Sequence, residues 1–236
     1  LRSLLALGAG REQDPVSARQ YFAYYYIPAP DTVFKGAHKL LPGHSIHVDK
    51  TGVRVERWYD VVAASQQVKK SADPGKTLFE LMDDAVRLRL IADVPVGAFL
   101  SGGVDSSIVS ALAARHHKHL HTFSIGYADD PFFDESQYAE EVARHIKSEH
   151  STFKLTREEL AHNYTRLLAA TDEPFADSSA LPSYMLCERT RKQVTVAVSG
   201  DGADEVFGGY TKHQAELRWR SPGAQEQAVR LLAPLW

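Results

Sequence analysis

The sequence predicts an α/β fold: a parallel sheet with helices on both faces, preceded by a smaller β-rich segment. Three observations carry that expectation. After residue 76, short apolar runs alternate with stretches of helical periodicity, the pattern of strand–helix–strand units. Two polar, glycine-rich runs, "SGGVDSS" (101–107) and "SGDGADEVFGGY" (199–210), each follow one of these apolar runs. The first 60 residues show instead the alternation of a hairpin.

Residues 1–60 read as loop, short helix and hairpin. In "HSIHVDKTGVRVERW", Ile46 and Val48 alternate with polar neighbours, a turn falls at Asp49–Gly52, and Val53 and Val55 resume the pattern. Residues 61–75 lose periodicity and end in Asp73-Pro74-Gly75, a turn signal that reads as a linker. The expected domains are therefore 1–75 and 76–236. The second opens with Leu78, Phe79, Met82, Val86 and Leu90 at helical spacing. Strands are expected at Val96–Leu100, Thr122–Ile125, Thr152–Leu155 and Val194–Val198. Helices are expected at Ser106–His116, Ser136–Ile146 and Thr156–Ala170, the last opening with the capping box Thr156/Glu159. A helix over 178–190 puts Cys187 in the core.

The whole-chain properties narrow the function classes. With 236 residues and 44% hydrophobic content, the chain can bury a sizeable core. A formal charge of −3 gives no reason to expect nucleic acid or an acidic membrane surface as partner. One cysteine excludes a disulfide framework within the chain and points to a reducing, cytoplasmic setting. No apolar run approaches the roughly 18 residues of a membrane helix. The opening "LRSLLALGAG" does not read as a signal peptide. A chain from Leu1 to Trp236 is expected to be a piece of a longer protein.

The two loops carry the chemistry. Ligands of such sheets bind beyond the carboxyl ends of the strands. Gly102 and Gly103 let the backbone turn tightly and approach a ligand. The free amides of the following helix point at an anion, and the hydroxyls of Ser101, Ser106 and Ser107 add donors. This reads as a phosphate cradle. It is not a Walker A loop, because Gly-Lys-Ser/Thr is absent, nor a nucleophile elbow, because Gly-x-Ser-x-Gly is absent. Asp105 sits where a lysine would be welcome. A carboxylate beside phosphates is repulsive unless a cation lies between, so magnesium is expected there. The second loop supplies Asp201, Asp204 and Glu205; Asp204 reads as the second magnesium ligand, with Ser199 and Gly200 against the nucleotide. A bare "SGG" after a strand is usually only a turn; two such loops with the right elements around them are far more specific.

These residues resemble a known family. "SGGVDSS" is similar to the pyrophosphate loop of the ATP pyrophosphatases, whose fold is adenine nucleotide alpha hydrolase-like (PP-loop). "SGDGADEVFGGY" narrows the resemblance to glutamine-dependent asparagine synthetases and their amidotransferase relatives. "FDESQYAEEVARHI" (133–146) and "DEPFADSSALPSYML" (172–186) look like the same family. "YFAYYYIPAPDTVFKGAHKLLPGHSIHV" (21–48) resembles the end of its amino-terminal glutaminase domain.

The resemblance implies magnesium-ATP, L-aspartate and glutamine-derived ammonia as partners. It implies an aspartyl-AMP ester, pyrophosphate as its by-product, and asparagine as the final product. Carried over by position, Leu100 and Ile125 flank the adenine or ribose. Ser199 and Gly200 contact the nucleotide, and Ser101, Gly102, Gly103, Ser106 and Ser107 form the pyrophosphate cradle. Asp105 and Asp204 are the magnesium carboxylates. Asp201 takes a catalytic position near the adenylate where many relatives have glutamate, and its shorter side chain reaches less far. Homodimers are usual in such a family; no residue here bears on that.

Two family parts are not found. Residue 1 is Leu rather than the nucleophilic cysteine of the glutaminase, so this chain is not expected to hydrolyse glutamine. The family's catalytic lysine lies well downstream of the second loop; Lys212 is too close to be it and reads as surface. The chain alone is thus expected to bind ATP weakly and not to make asparagine. Rival readings are the same chemistry on another carboxylate, a nucleotide-binding module without turnover and, weakest, a serine hydrolase.

Other features read more plainly. "HHKHLH" (116–121) is expected to be a solvated helix end rather than a metal site. "YFAYYYIP" (21–28) is expected to pack between domains rather than stack on bases. Asp172, Glu173 and Asp177 are either a helix cap or a substrate or inter-domain contact, and the residues leave that open.

Overall fold

The computed structural model describes residues 1–223 and 226–227. Its first elements are α1 (Arg2–Ala6), α2 (Pro15–Tyr24), β1 (His44–Asp49), β2 (Gly52–Arg57), α3 (Val61–Gln67) and α4 (Pro74–Arg89). Next come β3 (Val96–Phe99), α5 (Val104–His116), β4 (His121–Tyr127), α6 (Ser136–Ile146) and β5 (Glu149–Leu155). The chain continues with α7 (Arg157–Ala170), α8 (Ala180–Thr190), β6 (Val196–Val198), α9 (Ala203–Phe207) and α10 (Thr211–Arg220). No helix among the described residues is long and apolar enough to cross a membrane.

By its internal contacts the chain forms two compact units. One joins Leu1–Leu78 with Leu155–Cys187; the other joins Phe79–Lys154 with the described residues from Glu188 on. Residues 155–187, assigned by sequence to the second domain, thus cluster with the first 78; residues 228–236 of that domain lie outside the described ones.

The first unit holds the hairpin β1–β2, antiparallel with Ile46 opposite Val55 and Val48 opposite Val53. Lys39 ties it internally, donating to the Ile27 carbonyl at 2.6 Å and pairing with Glu173 at 2.7 Å. The capping box of α7 is formed: Thr156 Oγ1 accepts from the Glu159 amide at 3.1 Å, and Glu159 Oε2 accepts from the Thr156 amide at 3.0 Å.

The second unit holds a four-stranded sheet in the order β5-β4-β3-β6. β3 runs parallel to both neighbours, with Ala98 opposite Thr122 on one side and Val198 on the other. One face is covered by α4, α5 and α6. There Ala98 packs with Val86, Leu112, Ala113 and Leu120, while Leu100 packs with Ala139 and Ala143. On the opposite face the buried Phe123 stacks on Phe153 at 6.1 Å, and Arg189 from the end of α8 lies over the Phe153 ring. Burying a ring of this size contributes roughly 2–3 kcal/mol.

The structure corrects several local expectations. Residues 61–67 are a helix, not a linker, because Asp60 caps it by accepting from the Val62 and Ala63 amides. Asp73-Pro74-Gly75 is not a free turn: Pro74 opens α4, where its missing amide costs nothing, and Asp73 accepts from the Lys76 amide at 3.0 Å. β5 starts at Glu149, whose amide bonds the Leu120 carbonyl, and β6 is confined to Val196–Val198. Cys187 is exposed rather than core. Met185 takes the buried position, and two residues further on a helix has turned by about 200°, to the other side.

Candidate nucleotide-binding site

The two glycine-rich loops emerge side by side. β3 and β6 are parallel neighbours with Ala98 opposite Val198, so residues 101 and 199 leave the sheet at the same edge. The loops also touch. A Cβ at Gly200 would lie 2.7 Å from the Ser106 nitrogen and 3.0 Å from the Asp105 carbonyl carbon. Glycine is therefore required at 200 for two backbones to meet.

The first loop is held by its own hydroxyls. The Ser101 amide donates to Ser106 Oγ at 3.2 Å, and the two hydroxyls lie 2.9 Å apart. The Gly103 amide donates to Ser101 Oγ at 3.3 Å, and Ser107 Oγ donates to the Gly103 carbonyl at 2.7 Å. Gly102 has φ of +85°, and the start of α6 presses on it: a Cβ there would lie 2.6 Å from the Ala139 nitrogen. No side chain caps α5, whose N-cap is Gly103. The first amides of the helix therefore face the loop without a side-chain acceptor, an arrangement suited to an anion.

The carboxylates complete the electrostatics. Asp105 stands half-buried in the first turn of α5, with no hydrogen-bond partner for its carboxylate among the described residues. Asp201 accepts from Ser199 Oγ at 2.9 Å, and its amide donates back to that hydroxyl at 3.3 Å. Asp204 is half-buried in the first turn of α9, its Oδ1 lying where a Cβ at 209 would be. Tyr210 donates its hydroxyl to Glu205 at 3.0 Å. That bond holds the phenol above its ordinary value, with Asp204 and Asp201 adding to the effect. Glu205 is held below the usual carboxylate range by its own backbone amide and then by Tyr210.

The loop pair is thus rich in negative charge, and a polyphosphate could approach it only with a cation. Among the described residues no group of three or more His, Cys, Asp or Glu side chains forms a metal cage. The donor set fits magnesium nonetheless, since that ion is usually held by one or two carboxylates plus phosphate oxygens and water. The unpartnered carboxylate of Asp105, beside uncapped amides, is what such an ion needs.

The other nominated residues lie nearby in the sheet. Ile125 is half-buried near the end of β4. The Leu100 side chain is 1% exposed and belongs to the core under α6, so its backbone is what it can offer a ligand. Lys212 is exposed, with its ammonium 4.4 Å from the Tyr210 ring centre.

Several tempting features are absorbed elsewhere. His116 lies 3.0 Å from Asp83, while His119 and His121 each lie 3.6 Å from Glu149. Asp177 accepts from the Ser179 amide at 2.8 Å just before α8, Asp172 accepts from the Arg2 amide at 2.9 Å, and Glu173 pairs with Lys39. Each has an intramolecular role. Tyr24, Tyr25 and Tyr26 are exposed. What the sequence reading missed is a charged cluster at the other end of the phosphate loop's support, Asp134, Ser136 and Lys154. The signals were an aspartate two residues before a helix start and a lone lysine within a strand.

The chain is similar to known proteins over most of its length. The Asparagine synthase family profile matches residues 77–235. A "Putative asparagine synthetase [glutamine-hydrolyzing] 2" of Methanocaldococcus jannaschii is 39% identical over 202 residues, covering 82% of this chain and 38% of the relative. "Asparagine synthetase [glutamine-hydrolyzing] 1" of Bacillus subtilis is 33% identical over 219 residues, covering 92% and 34%. "Amidase chyE" of Penicillium rubens is 28% identical over 206 residues, covering 79% and 30%. Among solved structures, an NH3-dependent NAD synthetase from Campylobacter jejuni aligns with a TM-score of 0.40 at 14% identity, over 57% of this chain and 60% of that one. The chain spans about a third of the length of the curated relatives it matches. By its profile match and the 77–235 it covers, the chain belongs to the asparagine synthase family.

Proposed function

We propose that this chain carries the adenylating site of a glutamine-dependent asparagine synthetase, with residues 76–236 as the synthetase part and 1–75 as the end of a glutaminase domain. The observation that carries the reading is the backbone contact of Gly200 with Asp105 and Ser106, which joins an uncapped helix start to a second acidic loop.

A carboxylate is a poor electrophile because its leaving group would be oxide. In the proposed reaction the side-chain carboxylate of L-aspartate attacks the α-phosphorus of ATP. The bond from that phosphorus to the pyrophosphate oxygen breaks, leaving aspartyl-AMP. Ammonia derived from glutamine then displaces AMP. The amides at the start of α5 receive the charge that builds on departing pyrophosphate, and the hydroxyls of Ser101, Ser106 and Ser107 add to them by turning from their bonds within the loop. Asp105 and Asp204 would hold magnesium, which supplies charge neutralisation at the phosphate oxygens. Asp201, held by Ser199, would act near the adenylate.

Binding is tested on this chain by calorimetry with ATP, with and without magnesium; turnover is tested on the full-length gene product as pyrophosphate release with ammonia. The expected result is magnesium-dependent binding and aspartate-dependent release, both lost in Asp105→Ala, with release falling by about 100-fold or more. ATP binding indifferent to magnesium and to Asp105→Ala would refute the site. Because one relative is named an amidase, the acceptor has its own arm: binding without aspartate-dependent release moves the chemistry to another carboxylate.

A further inference from the structure

The phosphate loop does not stand alone. Its Gly102 lies against the backbone of Tyr138 and Ala139, the first turn of α6; a Cβ at 102 would be 2.5 Å from Tyr138 Cβ and 2.6 Å from the Ala139 nitrogen. Any shift of the α6 start therefore moves the loop, because backbone on both sides leaves nothing to give.

The start of α6 is itself pinned by charge. Asp134, two residues before the helix, accepts from the Ser136 amide at 3.1 Å. Lys154, near the end of β5, donates to the Asp134 carboxylate and to Ser136 Oγ, the latter at 2.7 Å. Ser136 is only 4% exposed while the Lys154 side chain is 46% exposed, so this bond runs from a solvated lysine to a buried hydroxyl. Asp134 and Lys154 close around Gly126 of β4, where a Cβ would lie 2.7 Å from Asp134 Oδ1 and 2.7 Å from Lys154 Cδ. One ammonium thus ties β5 and β4 to the α6 start, and α6 abuts the loop.

We propose that Lys154 is a positioning residue for the phosphate loop, acting through Asp134, Ser136 and the first turn of α6 on Gly102. The proposal rests on the nucleotide reading above for its function, but not for its structural content. Among the described residues Lys154 makes its side-chain bonds to Asp134 and Ser136, so the role proposed for it is to position the loop rather than to bind phosphate. It supplies a fixed anchor, and the loop amides are held in register for a ligand that they must meet together.

The test uses the 236-residue chain and the variants Lys154→Met and Lys154→Arg. Amide hydrogen exchange is read by mass spectrometry without ligand, and affinities for magnesium-ATP and for magnesium-pyrophosphate are read by calorimetry. Lys154→Met is expected to speed exchange in peptides covering 101–107 and 134–140 and to weaken both affinities about fivefold or more. Lys154→Arg keeps the charge and is expected to restore both to within about twofold. Unchanged exchange at 101–107 in Lys154→Met overturns the proposal whether or not nucleotide binds. So does faster exchange throughout the chain with a matching loss of thermal stability, since that is ordinary destabilisation. Faster loop exchange with unchanged affinities also overturns it. Localised exchange rescued by arginine, in a wild type that binds no nucleotide, supports the anchor and sinks the nucleotide reading instead.

Discussion

Gly200→Ala tests the contact on which the functional reading turns. The substitution adds one methyl group to a residue with no left-handed φ, so backbone conformation is not at issue. The cost is steric alone. The new Cβ would lie 2.7 Å from the Ser106 nitrogen, where ordinary contact begins at 3.4 Å. The shortfall is about 0.7 Å, and the opposing atoms are backbone of the first turn of α5, together with Asp105 Cβ at 3.1 Å. Overpacking of this sort costs about 1–3 kcal/mol in a closed core. Here both partners are half-buried loops at a sheet edge, so the loops separate and the stability loss falls near the lower figure, about 1 kcal/mol. The displacement then appears in function. A misplacement approaching 1 Å in a positioned constellation costs up to about 100-fold, and a Kd for magnesium-ATP raised at least tenfold is expected. Calorimetry reads the Kd, and urea unfolding reads the stability. Gly10→Ala is the control, since its Cβ would meet nothing within 4 Å and its φ is not left-handed. Gly200→Ala binding as tightly as wild type, or Gly10→Ala binding worse than Gly200→Ala, would refute the contact.

Two further outcomes concern pH. The Lys154 ammonium and the Ser136 hydroxyl hold the Asp134 carboxyl at about 2, against 3.8 in the unfolded chain. A depressed carboxyl contributes stability that is fully present above 3.8 and is lost as pH falls through 2. The shift alone would be worth about 2.5 kcal/mol, but Lys154 is nearly half exposed and solvent screening reduces this to about 1 kcal/mol. The stability gap between wild type and Asp134→Asn is therefore expected to be constant above pH 5 and to shrink between about pH 4 and 2; a gap that does not narrow there would count against the pairing. His150 moves the other way in charge. Burial lowers its pKa, with Glu140 and then Thr122 opposing, so the folded chain binds fewer protons than the unfolded chain below 6.5. Stability is expected to fall as pH drops from 7 through 6.5 and beyond, and His150→Gln is expected to flatten that segment of the profile. An unchanged slope in the variant would assign the loss to another group.

Much of this architecture is legible in the residues. The boundaries of α6 coincide with those read from "SQYAEEVARHI", because a hydrophobic stripe and a positive-φ C-cap at Lys147 agree. The α7 capping box is a local motif whose partners lie three residues apart, so sequence suffices. Asp60 and Asp73 carried equally local signals that were outweighed by the lack of periodicity around them. Cys187 went wrong for a different reason: which side of α8 is buried depends on what covers it, and Met185 and Cys187 are both acceptable core residues. Least legible are the polar contacts within the sheet. Thr122 and Ser124 are buried in β4, and their hydroxyls meet the two nitrogens of His150 at 2.9 and 3.1 Å. Nothing local in a strand tells a buried hydroxyl from a solvated one.

The same distinction separates what could and could not be read of the site. A phosphate loop is a property of consecutive residues: glycines for the turn, hydroxyls for its internal bonds and a helix start for the amides. Its support is a property of three elements distant in sequence. Asp134 and Lys154 are 20 residues apart and Gly102 is 36 residues from Tyr138, yet Lys154, Asp134, Ser136 and the α6 start form one unbroken chain of contacts to Gly102. The glycines at 102 and 200 are where these two levels meet. At each, a backbone from elsewhere in the fold occupies the space of a side chain. What reads in the sequence as freedom to turn is, in the folded chain, a demand for contact. Substitutions at the two positions should therefore be felt first in ligand affinity and only second in stability, the reverse of what a core residue such as Phe123 would show.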